Sequence, residues 1–120
     1  MSVVALDHVQ IAAPRGSEAD ARAFFGDVVG LEETPKPEAL ATRGGVWFRC
    51  GAQQLHVGIE DDFTPARKAH PAFRVHDLDA VRDRLSAAGK TPRDDGGFPG
   101  IRRFYVDDPF GNRLEFLERL

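Results

Sequence analysis

Apolar and polar positions along this chain alternate, switch to a helical period, alternate again, and then repeat the whole order. Residues 4–13, VALDHVQIAA, alternate as a strand does, with Val9 and Ile11 on one face and His8 and Gln10 on the other. Pro14-Arg15-Gly16-Ser17 breaks that strand. Ser17 is placed to cap a helix, and Glu18 and Asp20 put negative charge in its first turn. Ala21, Phe24, Phe25, Val28 and Val29 form the apolar stripe of this helix, and Gly30 stops it. A short strand at 31–34 ends at Pro35 and Pro37, after which VWFRC and QQLHVGI flank Gly51-Ala52 as a hairpin.

The same order returns after the polar stretch 60–69. HPAFRVH reads as a strand with Phe73 and Val75 on its apolar face. Asp77 or Asp79 caps a helix whose stripe is Leu78, Val81, Leu85 and Ala88, and Gly89 ends it. Lys90–Arg93 begins a short strand, and IRRFYV turns through residues 107–112 into RLEFLE. The prediction is a single α+β domain over residues 1–120, with one module at 1–59, a linker at 60–69 and a second module at 70–120. Each helix must cover one face of a sheet. Val9, Ile11, Leu55, Val57, Phe73, Val75, Leu114 and Phe116 are assigned to the covered faces.

The opposite faces then collect His8, Gln54, His56, His70 and Glu115. Each of these alone reads as a solvated surface residue, and their recurrence in both halves is what points to a site. From His8 to Gln54 is 46 residues and from His70 to Glu115 is 45. Two His and one carboxylate are the minimal set for a divalent first-row metal with open positions, and imidazoles favour Zn, Ni, Co, Mn or Fe over Ca and Mg. Gln54 and His56 face the same way. His56 is chemically the better ligand, but the repeat spacing favours Gln54 and leaves His56 nearer a substrate. Arg74 either holds a substrate anion with its paired donors or pairs with Glu115 or a linker acid. Trp47 and Phe104 are candidates for a cavity wall. His76 reads as a loop or capping residue, Arg67 and Lys68 as solvated charges, and Phe110 as a packing residue of its turn or part of a partner contact.

Composition narrows the function classes. The chain has 120 residues, of which 42% are apolar and 29% charged, as in an ordinary soluble domain. A net charge of −3 offers no surface for nucleic acid or an anionic membrane. No apolar run approaches the roughly 20 residues that span a bilayer, and the N-terminus lacks a signal-peptide pattern. The one cysteine, Cys50, ends the apolar run VWFRC, reads as a buried thiol, and suits a reducing compartment. The expectation is a cytoplasmic protein whose partner is a small molecule.

LDHVQIA, FFGDVVGLEE, HPAFRVHDLDAVRDRL and FYVDDPFGNRLEF together resemble the vicinal oxygen chelate superfamily. That superfamily includes glyoxalase I, methylmalonyl-CoA epimerase, fosfomycin-resistance thiol transferases, extradiol dioxygenases and bleomycin-resistance proteins. The likeness runs through the whole chain and is most specific at Asp108-Pro109-Phe110-Gly111-Asn112-Arg113-Leu114-Glu115, a D-P-x-G-N-x-x-E tail. It implies two tandem βαβββ modules whose curled mixed sheets surround a cavity, helices outside, commonly completed in a homodimer. The family's metal ligands fall on His8, His70 and Glu115, and its frequent Glu or Gln falls on Gln54. Glyoxalase I carries Glu at that point, where it also serves as a base. A neutral amide cannot take a proton, so Gln54 argues against lactoylglutathione isomerisation and leaves Glu115 or His56 to move the proton. The activity implied is that of a metal-dependent lyase or isomerase on a small metabolite with vicinal oxygens, the metal stabilising an enolate or oxyanion. The alternatives are a metal-free protein that sequesters an antibiotic or other small molecule, and an Fe(II) dioxygenase or thiol transferase.

Overall fold

The computed structural model describes residues 2–120, which form two compact units, one ending at Phe63 and the other running from Thr64 to Leu120. In the first unit β1 (His8–Ala13) leads into α1 (Glu18–Ala21), which continues as a π-helical stretch over Arg22–Val28. Then come β2 (Glu32–Thr34), a 3-10 turn (Glu38–Arg43), β3 (Val46–Cys50) and β4 (Gln53–Ile59). The sheet order is β1-β4-β3-β2, with β1 parallel to β4 and the other neighbours antiparallel. The parallel pair requires the helical crossover between β1 and β2, and the antiparallel pairs need only tight turns.

Phe24, Phe25, Val46, Phe48, Leu55 and Val57 are buried in the core of this unit, with the Phe25 ring 5.8 Å from that of Phe48. The stripe departs from the regular helical period. Val29 donates to the Phe24 carbonyl at 2.9 Å, five residues back, so the widened turn leaves Val28 and Val29 only half-buried. Ser17 stands at the helix start, but its hydroxyl makes no cap and its buried Oγ has no partner among the described residues. Glu18 is used differently: its carboxylate accepts the Gly45 N–H at 2.9 Å, which holds its pKa below the ordinary 4.5. Gly45 has φ 87°, and a Cβ there would lie 2.3 Å from the Val57 carbonyl oxygen, so only glycine fits.

The second unit contains β5 (Ala72–Arg74), α2 (Leu78–Ala87), β6 (Arg93–Asp94), β7 (Ile101–Asp107) and β8 (Arg113–Arg119) in the order β5-β8-β7-β6. Again the first strand is parallel to the last and the rest are antiparallel. Asp77 caps α2 by accepting the Ala80 N–H at 3.1 Å, whereas Asp79 is bound by Arg102 at 2.8 Å. Leu78, Val81 and Leu85 are buried as expected, but Ala88 is exposed at the helix end. Phe116 lies between Phe73 and Phe104, with ring centroids 5.2 and 5.6 Å away.

The D-P-F-G-N turn between β7 and β8 is built around one buried carboxylate. Asp108 Oδ1 accepts the Phe110 and Asn112 N–H groups and Oδ2 accepts Asn112 Nδ2, all at 2.9 Å. Asn112 Oδ1 in turn accepts the Ala66 N–H at 2.9 Å and clips the turn to the preceding segment. Burial raises the Asp108 pKa above 3.8, with the Asn112 and Phe110 donors opposing the rise. Gly111 has φ 92°, and a Cβ there would sit 3.3 Å from Pro65. The most specific residues of the sequence motif thus shape a turn; only Glu115, three positions beyond Asn112, faces the candidate chemistry.

Candidate functional site

In the first unit β1, β4 and β3 present one face of alternate residues. The two-residue connection at Gly51-Ala52 sets Cys50 opposite Gln53, and counting back sets Trp47 opposite His56. On the other side His8 lies opposite Gln54 and Gln10 opposite His56. The rings stack as a result: His56 lies parallel to Trp47 with centroids 3.8 Å apart, and His8 stacks at 4.2 Å from His56. His56 is 5% exposed. Burial lowers its pKa below 6.5, and the neighbouring His8 lowers it further. Its Nε2 is 2.8 Å from Gln54 Oε1, an acceptor, so Nε2 carries the proton in that bond. His8 Nδ1 lies 2.9 Å from Asp7 Oδ2, which likewise places a proton on Nδ1 and leaves Nε2 open.

In the second unit His70 stands two residues before β5, and Glu115 lies in β8 opposite Ala72. His70 Nδ1 is 2.8 Å from the Lys68 carbonyl oxygen, which can only accept, so Nδ1 carries a proton. His70 Nε2 is 2.9 Å from Glu115 Oε1, and the Glu115 carboxyl is 6% exposed. An imidazole lone pair and a carboxylate oxygen at that distance need a proton or a cation between them. Glu115 Oε2 lies 3.6 Å from Arg103 Nη1, and Arg103 also pairs with Asp95 at 2.5 Å. Burial works against the Arg103 charge, but Asp95, Tyr105 and Glu115 outweigh it and raise its pKa.

The other expected site residues fall as follows. Trp47 shares the face of His8 and His56. Phe104 does not reach the ligand face: it is fully buried against Phe116, with the Arg82 guanidinium 4.9 Å over its ring. Its neighbour Tyr105, opposite Glu115 and 5.3 Å from the His70 ring, takes the place expected of Phe104. Arg74 is exposed and pairs with neither Glu115 nor a linker acid among the described residues. Cys50 is half-buried, and burial raises its thiol pKa, which makes it a poor nucleophile. Arg103 and Tyr105 are the residues that reading the sequence missed. Their signal was register: pairing Asp107 with Arg113 across the turn puts both on the face of Glu115.

The near-equal spacings of the two halves conceal different registers. His8 is directly opposite Gln54, but Glu115 is opposite a residue two beyond His70, and the counterpart of that position in β4 is His56. No group of three or more His, Cys, Asp or Glu is gathered to hold a metal ion among the described residues; each unit brings its own pair together. The chemistry of the His70–Glu115 pair nevertheless fits a metal, and His8 is oriented like His70. Both His8 and His70 have Nδ1 tied to an oxygen acceptor, the arrangement that fixes a ligating imidazole and leaves Nε2 for the ion. Two atoms bound at right angles to one ion at about 2.1 Å each are about 3 Å apart, close to the separation of His70 Nε2 and Glu115 Oε1. No helix among the described residues is long and apolar enough to cross a membrane.

Known proteins place this fold. A glyoxalase family protein from Bacillus anthracis has 51% sequence identity and a TM-score of 0.96, the match covering 100% of this chain and 98% of that one. The oxidase ChaP-H2 has 28% identity and a TM-score of 0.76 over 100% of this chain and 96% of that one. A lactoylglutathione lyase from Agrobacterium tumefaciens shares the fold at 24% identity, with a TM-score of 0.74 over 98% of this chain and 96% of that one. Among curated proteins none matches. The family model for the Glyoxalase/Bleomycin resistance protein/Dioxygenase superfamily matches residues 5–116, and the chain belongs to that superfamily.

Proposed function

We propose that the protein is a divalent-metal-dependent enzyme of the glyoxalase type, acting on a small metabolite with two neighbouring oxygens. His8, Gln54, His70 and Glu115 would hold the ion. The observation that carries the reading is the His70–Glu115 pair: a 2.9 Å approach of an imidazole nitrogen and a buried carboxylate oxygen, with the far side of the imidazole on the Lys68 carbonyl. The ion would polarise a substrate oxygen and acidify the adjoining carbon. Glu115 is the group to take that proton, because its carboxylate is buried and oriented by Arg103. His56 is assigned a positioning role. Neutral and sandwiched between His8 and Trp47, it donates to Gln54 Oε1 and fixes that side chain.

Replacing Glu115 by Gln tests this. The variant should bind Zn, Ni, Co or Mn at least about 10–100-fold more weakly, the loss that removing even an outer partner of a ligand brings. Unchanged affinity would remove Glu115 from the ligand set.

A second reading, a metal-free binding protein, has its own support. A doubly protonated His70 and Arg103 can satisfy Glu115, and His56 can satisfy Gln54, with no metal ion. Saturable binding of a small aromatic ligand, indifferent to added metal and without turnover, would favour it.

A further inference from the structure

Two cavities stand out, one in each unit, and their charges differ in kind. The cavity of the second unit is lined by Arg82, Arg102 and Arg103, and each of these is already paired, with Asp94, Asp79 and Asp95. The cavity of the first unit, about 190 Å³, is lined by Gln10, Lys36, Leu40, Arg43, Trp47 and Ile59 among others, and no acidic side chain lines it. Lys36 uses one donor on the Gly44 carbonyl and keeps two. Arg43 has no ion-pair partner among the described residues. Gln10 and Trp47 belong to the same sheet face as His8 and His56, so this cavity continues the candidate site along β1 and β4. Its third wall, with both cations, comes from the segment between β2 and β3.

We propose that this cavity recognises the anionic end of the substrate: Lys36 and Arg43 bind a carboxylate or phosphoryl group, and Trp47 and Leu40 carry a small planar or apolar body. The inference rests on the enzyme reading above and narrows its substrate to an organic acid. The volume is below that of a drug-sized pocket and suits a small metabolite or one end of it. The guanidinium presents two parallel donors to such an anion, and the ammonium adds a point charge. The Trp47–His56–His8 stack runs from the cavity wall at Trp47 to the candidate ligand His8. The anion therefore lies at the far end of the substrate from the oxygens that would meet the metal.

Trp47 is the only tryptophan in the chain, so its fluorescence reports this wall directly. The test titrates benzoate and its neutral isostere benzamide into the full chain kept in excess chelator. Running it without metal makes the result independent of whether a metal centre forms. Benzoate should change the fluorescence saturably, with benzamide at least about tenfold weaker. Arg43→Gln should weaken benzoate about tenfold, the value of one charge-assisted hydrogen-bond pair. Arg84→Gln, an exposed change on α2, should leave it as in the unmodified protein. Equal binding of the two probes, no saturable benzoate response, or an Arg43→Gln variant that binds like the unmodified protein would each overturn the proposal.

Discussion

Asp108→Ala removes the acceptor of three N–H groups at once. In the folded chain those groups are Phe110 N, Asn112 N and Asn112 Nδ2, each 2.9 Å from the carboxylate. A hydrogen bond to a charged group contributes about 1.5–3 kcal/mol, which would put a ceiling near 5–9 kcal/mol on three of them. Two effects reduce that ceiling. The carboxylate is 3% exposed and carries a burial cost, seen in its raised pKa. Pro109 beside it is exposed, so water can enter the space left by the side chain. The expected loss is about 3–4 kcal/mol, or a fall in Tm of roughly 10–15 °C for a chain of this size.

Asp108→Asn discriminates further. The amide oxygen still serves Phe110 and Asn112 N–H, but its NH2 now meets Asn112 Nδ2 donor to donor, for a loss of about 1–2 kcal/mol. Urea unfolding followed by far-UV circular dichroism measures both. The sign of the pH effect follows from the raised pKa. The folded state holds this proton more tightly, so the proton-linked part of the Asp108 contribution is lost as pH rises from 3.8 through the raised native value, while the three hydrogen bonds to the carboxylate remain. Asp108→Asn should flatten that part of the pH profile. An Ala variant within about 1 kcal/mol of the unmodified protein, or an Asn variant less stable than Ala, would refute this account of the turn.

Phe104→Ala should cost about 3–5 kcal/mol in the same unfolding experiment, because the ring is fully buried. Tyr105→Phe should stay within about 0.5 kcal/mol, and the opposite ranking would mean that β7 is read in the wrong register. Glu18→Gln should cost about 1 kcal/mol at pH 7, the charged share of its bond to the Gly45 N–H. Since the folded-state pKa of Glu18 is depressed, that stabilisation is present above 4.5 and lost as pH falls through the lower native value. The variant and the unmodified protein should therefore converge in acid, which unfolding curves across the pH range would show.

Much of this was legible in the sequence, for identifiable reasons. The Gly51-Ala52 connection was legible as a hairpin, and the structure adds the register that sets Trp47 opposite His56. The helix starts and stops were marked by Ser17, Gly30, Asp77 and Gly89, and Asp77 does cap α2. Where the reading failed, packing overrode local preference. Phe24 and Phe25 are buried as the stripe predicts, but the π-helical stretch breaks the regular period and leaves Val28 and Val29 half-buried. Phe104 and Tyr105 are adjacent aromatics either of which suits a buried face, and a slip of one residue exchanges them. The repeat spacing drew attention to His8, Gln54, His70 and Glu115, yet it could not show that the two registers differ by two residues. Arg103 is one of two adjacent arginines, and only the parity set by the β7–β8 turn distinguishes the one facing Glu115 from the one paired with Asp79.

The most direct test of the central claim is metal content and affinity, by elemental analysis and titration calorimetry, on the full chain and on a His8→Ala/His70→Ala variant. The prediction is one divalent ion per chain bound more tightly than about 1 µM, with that binding abolished in the double variant while the fold is retained. Failure of the unmodified chain to bind Zn, Ni, Co, Mn or Fe(II), or equal binding by the double variant, would contradict a metal centre built on these imidazoles.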